Sequence, residues 1–190
     1  LPPYEAEHTT FCMGASIGVA IGLQLAGHEN TVAIIGDSTF IHAGIPPLID
    51  AVYNKSHLTL VILDNSATGM TGSQPNPASG KNVLGEDAPK LDLEAFCRAA
   101  GVGLVEVVDT WQRKEVVRKL NASIAYQGPS VVIARGACQQ LPEVKHQKRI
   151  PFMVEEELCT KCNACFKVWC PAIKKTVDEF PIIVAAECTA

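Results

Sequence analysis

Four short runs of consecutive apolar residues constrain this fold more than anything else: Thr31–Gly36, Leu58–Asp64, residues 103–108 and Ser130–Arg135. They are continuous, not alternating. A strand with one wet face alternates apolar and polar residues, whereas a strand covered on both faces does not. Between the runs lie segments of helical length, at about residues 10–27, 43–54, 91–100 and 112–125. Strand and helix therefore alternate, the pattern of an α/β domain whose mostly parallel sheet is flanked by helices. With 190 residues, 47% of them hydrophobic, the chain can build one such domain and a small appendage.

Charge and composition exclude several classes. Twenty acidic residues outnumber 16 basic ones, and no basic run is long enough for a nucleic-acid footprint. No basic segment precedes an early apolar stretch, so no signal peptide is read. The uncharged stretch Phe11 to Gly27 is 17 residues long and contains Gly14, Gly18 and Gly22. That is short for a membrane span, and a buried helix is expected instead. No strand precedes these glycines, so they fail as a dinucleotide fingerprint and read as sites of close helix packing. The start at Leu1 and the Cys188-Thr189-Ala190 ending, which looks like the opening of another Cys motif, suggest a piece of a longer subunit.

The first run ends in Gly36-Asp37-Ser38-Thr39 and the second in Asp64-Asn65. In open α/β sheets ligands gather beyond the carboxyl ends of the strands. Gly36 lets backbone approach a phosphate, and Asp37 offers a hard oxygen suited to Mg2+. Asn65 stands 28 positions after Asp37. Both pairs are also ordinary turn residues, so the spacing matters more than either pair alone. Residues 66–89 hold Gly69, Gly72, Pro75, Pro77, Gly80, Gly85 and Pro89. A loop of that length directly after a strand reads as functional. Gly-Asp followed by Asn at this distance resembles the signature of thiamine diphosphate enzymes. The resemblance implies that Asp37, Asn65 and the backbone oxygen of Ala67 bind Mg2+. Gly36, Ser38, Thr39, Met70, Thr71 and Gly72 would then surround the diphosphate.

Eight cysteines are present, five of them between 159 and 188. Clustered C-x2-C steps in an apolar chain of this size favour metal over disulfides, and hence a reducing cytoplasm. Cys159, Cys162, Cys165 and Cys170, followed by Pro171, are spaced C-x2-C-x2-C-x4-C-P. Zinc ribbons use two C-x2-C pairs a dozen or more residues apart. Three Cys within seven positions suit a [4Fe–4S] cluster better, although the last gap is one residue longer than in bacterial ferredoxins. By the two-cluster rule Cys170 serves a second cluster, with Cys188 as that cluster's first ligand. Cys97 and Cys138 read as small core hydrophobes. The polar, basic stretch Cys138 to Arg149 reads as a linker. The expected organisation is a cofactor domain at 1–140, a linker at 141–152 and a truncated ferredoxin-like segment at 153–190.

These two constellations in this order resemble the α subunits of the indolepyruvate ferredoxin oxidoreductase family. The matching text includes Cys12-Met13-Gly14-Ala15-Ser16-Ile17-Gly18, Ile35 to Phe40, His42-x-Gly44-Ile45-Pro46, Ala51 to Lys55, Leu63-Asp64-Asn65 and Met70-Thr71-Gly72-x-Gln74-Pro75-x-Pro77. It departs at Ser73 and Asn76, where the family pattern leads one to expect His. The resemblance implies a thiamine-diphosphate-binding fold and oxidative decarboxylation of an aryl 2-oxoacid. Coenzyme A would accept the acyl group and ferredoxin the electrons. It implies a β subunit, assembly as a dimer or heterotetramer, and a catalytic Glu on a domain outside this chain. Cys12, Met13 and Gly14 would line the cofactor pocket, or Cys12 and Met13 simply start a helix. His42 would hydrogen-bond the substrate carbonyl or carry a proton, or simply be a polar group near a helix start. His57 and Glu155-Glu156-Glu157 read as surface, and Trp111 and Trp169 as packing. A non-oxidative thiamine enzyme and a ferredoxin-like carrier are the alternatives.

Overall fold

A computed structural model describes residues 6–139, Leu141, Val144 and residues 150–188. It separates into two compact units, one from Thr10 to Val144 and the other made of the residues up to Thr9 and from Lys145 onward. Residues 142, 143 and 145–149 of the expected linker, and Thr189 and Ala190, lie outside the described residues.

The larger unit is built on a four-stranded parallel sheet in the order β1-β2-β4-β3. The strands are β1 (Thr31–Gly36), β2 (Leu58–Asp64), β3 (Leu104–Asp109) and β4 (Ser130–Arg135). Three coincide with the apolar runs. The third, expected at 103–108, is shifted by one residue; Gly103, just before it, lies against the Tyr126 hydroxyl, where a side chain has no room.

The helices are α1 (Ser16–Leu25), α2 (Asp37–Thr39), α3 (Ile45–Tyr53), α4 (Leu93–Ala99) and α5 (Arg113–Ala125). The first begins six residues later than the sequence suggests. Gly14 adopts φ +91°, which directs the chain into a turn before the helix can start. Gly27, at φ +92°, lies just past its other end. α1 is also not a buried helix: Ile17 and Ala20 are buried, while Leu25 is 83% exposed. Gly18 and Gly22 face open space, so close packing is confined to Gly14, where a Cβ would meet that of Ala43 at 2.7 Å. α2 runs through a π-helical turn, Phe40–Gly44, into α3. Gly44 fits there because a Cβ would meet the Phe40 ring at 2.8 Å. Asp92 caps α4, its Oδ1 accepting the N–H groups of Glu94 and Ala95.

Alternate residues of each strand feed the two faces of the sheet. Ala33 and Ile35, Leu58, Leu60 and Ile62, Val105, and Val131 and Ile133 pack with Ile17, Phe40, Leu48, Leu93 and Cys97 into the main core. Phe40 and Phe96 meet edge to face at 6.2 Å. On the opposite face Val108, Val132 and Ala134 pack against Val116 and Leu120 of α5. That cover reaches only half of the face: Val32, Ile34 and Leu63 are 41%, 48% and 45% exposed.

The smaller unit has single helical turns at Glu156–Leu158 and Ala164–Val168 and one antiparallel hairpin, β5 (Ile173–Lys175) with β6 (Pro181–Ile183). Lys161, Asn163 and Trp169 all take positive φ, winding the Cys run tightly. Among the described residues no helix is long and apolar enough to cross a membrane.

Candidate functional site

The parallel register sets β1 and β2 level, Gly36 opposite Leu63. The residues that leave the two strands, Asp37 and Asn65, are therefore brought together at the carboxyl edge. Asp37 is 2% exposed. Its Oδ1 accepts the Ser38 N–H at 2.6 Å, while its Oδ2 is buried without a partner. Burial raises its pKa above the ordinary carboxylate value, and the charge of Asp64 adds to the rise. The backbone N–H groups of Ser38, Ser66 and Asn65 nearby oppose it, but only that of Ser38 is within hydrogen-bonding reach, and it serves Oδ1. A buried carboxylate oxygen without a donor is costly unless a cation completes it.

Asn65 opens a tight turn in which its Oδ1 accepts the Ala67 N–H at 3.0 Å. Ser66 takes φ +60° and Ala67 is buried. The Thr68 hydroxyl donates to Ser38 Oγ at 3.1 Å, tying this turn to the end of β1. One carboxylate, one amide and a backbone carbonyl form an all-oxygen donor set that fits Mg2+. The loop after Asn65 is structured. Thr68 pairs with Gln74 and Lys81 with Asp87, and Gly72 takes φ +115°. Asn76, one of the two departures from the family pattern, is buried and structural: its Oδ1 accepts the Ala78 N–H at 2.8 Å.

The other expected residues lie on several different elements. Gly36 ends β1, and Thr39 lies 3.8 Å from where a Gly14 Cβ would stand. Cys12 and Met13 are exposed, not packed at a helix start. Met70 is exposed, and the Thr71 hydroxyl donates to Gln74 Oε1 at 2.6 Å. His42 is exposed on the π-helical turn. His57 is not a free surface residue, since its Nε2 lies 2.5 Å from the Tyr126 carbonyl. Cys97 is a core residue whose thiol is pushed up to about 12 by burial. Cys138, by contrast, is only half-buried, and its N–H donates to the Asn65 carbonyl at 3.0 Å.

Sequence reasoning marked Asp64 beside Asn65 but missed Arg135 and the pairing of the two. They face each other across β2 and β4, and Arg135 Nε donates to Asp64 Oδ2 at 3.0 Å. Both line a cavity of about 710 Å³ with Lys90, Asp109 and Trp111. Trp111 and Trp169 are each 64% exposed, so neither is the packing residue expected.

In the smaller unit Cys159, Cys165, Cys170 and Cys188 are half-buried and Cys162 is exposed. Donation from the Ala164 N–H, helped by Thr160, holds the Cys162 thiol below its ordinary pKa. Glu155, Glu156 and Glu157 are exposed. Among the described residues no three His, Cys, Asp or Glu side chains are grouped to hold a metal. The donor chemistry fits iron–sulfur, and soft thiolate sites commonly close around the metal as it binds.

The family described as thiamine pyrophosphate enzyme, C-terminal TPP binding domain, matches residues 3–134. The chain belongs to this family. It is 42% identical to indolepyruvate oxidoreductase subunit IorA of Archaeoglobus fulgidus over 98% of its own length and 31% of that protein's. To 2-oxoglutarate synthase subunit KorB of the same organism it is 28% identical, over 75% of this chain and 55% of the relative. The chain thus spans about three-tenths of the IorA protein it matches. A 2-oxoglutarate:ferredoxin oxidoreductase from Magnetococcus marinus, with 2-oxoglutarate, coenzyme A and succinyl-CoA bound, shares the fold. Its TM-score is 0.60 at 19% identity, covering 66% of this chain and 46% of that one. The α/β class read from the sequence and the resemblance to IorA both hold.

Proposed function

We propose that this chain is the thiamine-diphosphate-binding part of an oxidoreductase that decarboxylates an aryl 2-oxoacid, indolepyruvate, passing the acyl group to coenzyme A and the electrons to ferredoxin. One observation carries the reading: the buried, unpartnered Asp37 oxygen beside the Asn65–Ala67 turn, in a chain that also holds the Cys run. Asp37, Asn65 and the Ala67 carbonyl would hold Mg2+. Thiamine diphosphate would supply the electron sink for decarboxylation.

The chain's own residues bind and orient. Ser38 and Thr39 present hydroxyls at the end of β1, and Gly36 and Gly72 leave room for phosphate oxygens. Gly14 and Met70, with Cys12 and Met13, would flank the cofactor. His42, exposed on the turn that follows α2, would hydrogen-bond a substrate carbonyl or move a proton. Cys159, Cys162 and Cys165 would ligate a [4Fe–4S] cluster, Cys170 and Cys188 a second. A second subunit, ferredoxin, coenzyme A and the 2-oxoacid are the partners of this reading.

The test is anaerobic assay of the full-length protein with its partner subunit against a panel of 2-oxoacids. It follows coenzyme A-dependent reduction of ferredoxin or a viologen. Preferred turnover of indolepyruvate is expected, with iron and acid-labile sulfide present. Turnover without electron release would indicate a non-oxidative enzyme, and preference for 2-oxoglutarate or pyruvate would move the substrate.

A further inference from the structure

Four polar residues line up across the carboxyl edge of the sheet: Asp37 after β1, Asp64 on β2, Arg135 on β4 and Asp109 on β3. Asp109 is fully used, its Oδ1 accepting the Trp111 N–H at 2.9 Å and its Oδ2 the Gln112 amide at 3.4 Å. Asp64 is not. Its side chain is 3% exposed. One oxygen takes the Arg135 Nε–H, and the other is buried without a partner, as is one oxygen of Asp37. Two buried carboxylates are thus neighbours, and a single guanidinium, 46% exposed, offsets one of them. The arrangement leaves about one negative charge uncompensated in a low-dielectric setting, where charges act over longer distances than in water.

We propose that Asp64 is a positioning residue for the divalent-cation site, strengthening the pull on the ion at Asp37 and Asn65 without ligating it, and that Arg135 sets how much of that pull is felt. The backbone holds the pair in place. Gly136 N–H donates to the Asp64 carbonyl and Cys138 N–H to the Asn65 carbonyl, both at 3.0 Å. The segment after β4 is therefore fastened along the Asp64–Asn65 step, and Arg135 is carried at its start. Gly136 passes so close to the Thr110 side chain that a Cβ there would clash. The pair sits behind the donor set much as outer-shell partners of metal ligands do. This inference rests on the reading that Asp37 and Asn65 hold the ion.

An ion pair that only braced the fold would make the two halves equivalent, because breaking it from either side would loosen the site. Control through charge predicts opposite signs. Asp64→Asn keeps the shape and removes a negative charge, so it weakens divalent-ion binding by about 10–100-fold. Arg135→Gln keeps an N–H donor and removes a positive charge, so it tightens binding several-fold.

The measurement is Mn2+ titration of the full-length protein by electron paramagnetic resonance, with thiamine diphosphate present, and circular dichroism to verify folding. Asp37→Ala serves as the reference. If it leaves Mn2+ binding unchanged, the cofactor reading fails and this inference fails with it. If it abolishes binding, yet Asp64→Asn and Arg135→Gln both weaken binding or both leave it unchanged, the ion site stands and the charge role of Asp64 is overturned. Should Asp64→Asn fail to fold, Arg135→Gln decides alone, since a bracing role never tightens the site.

Discussion

In the larger unit β2 and β4 pair over six residues a side, and β1 and β3 flank them over equal lengths. In the smaller unit one hairpin pairs three residues a side, and among its described residues only Ala172 and Pro181 are buried. The first unit is held by its own core, in which Phe40, Leu48, Leu60 and Ile133 are fully buried, each contributing about 1.5–3 kcal/mol. The second has too little apolar surface to offset chain entropy unaided. What it does have is five cysteines. The contrast teaches that packing alone accounts for the larger unit, whereas under the proposed function the smaller one would depend on a metal cluster.

The sharpest way to break that contrast is to remove iron. Chelation, or Cys162→Ala in anaerobically prepared protein, is expected to abolish hydrogen-exchange protection of the β5–β6 hairpin. Structural metals contribute on the order of 10 kcal/mol. The amides of β2 and β4 should keep their protection, and joint loss of both would show that the units do not differ in this way.

Next in size is the core. Leu60→Ala is expected to cost about 2–5 kcal/mol in denaturant unfolding of the larger unit while leaving the iron content unchanged. A somewhat smaller loss, about 1–2 kcal/mol, is expected for Gly14→Ala, which combines a left-handed backbone with the Ala43 contact.

Smaller still, and opposite in sign, is Asp37→Asn. Neutralising a buried, uncompensated carboxylate should raise the melting temperature of the cofactor-free protein while abolishing Mg2+-dependent thiamine diphosphate binding. A lower melting temperature would mean that Asp37 is paired after all. The least effect is expected at Cys97. Its thiol titrates near 12 when folded and near 9 when unfolded, so its stabilising contribution is whole below pH 9 and fades as pH rises toward 12. Cys97 should therefore resist alkylation at pH 8 in native protein, as mass spectrometry would report, while exposed Cys12 reacts.

The strands were legible because strands covered on both faces must be continuously apolar, and β1, β2 and β4 occupy the very residues that pattern marks. Asp37 and Asn65 were legible because each immediately follows such a strand. The pairing of Asp64 with Arg135 was not. Their contact spans 71 positions and exists only because β4 inserts between β2 and β3, an order that periodicity does not encode. The late start of α1 was hidden by apolar residues that continue through the turn at Gly14. The exposure of Trp111 and Trp169 was missed because residue type was read as environment, and no neighbour in sequence corrects that.

The half-bare face of the sheet has a practical meaning. Val32, Ile34 and Leu63 present a greasy stripe beside β1, an edge strand whose outer amides and carbonyls have no sheet partner among the described residues. Strand edges of this kind recruit other strands. A preparation reduced to residues 10–144 would therefore be prone to clump on concentration, and a lysine introduced at Ile34 would be the first remedy to try.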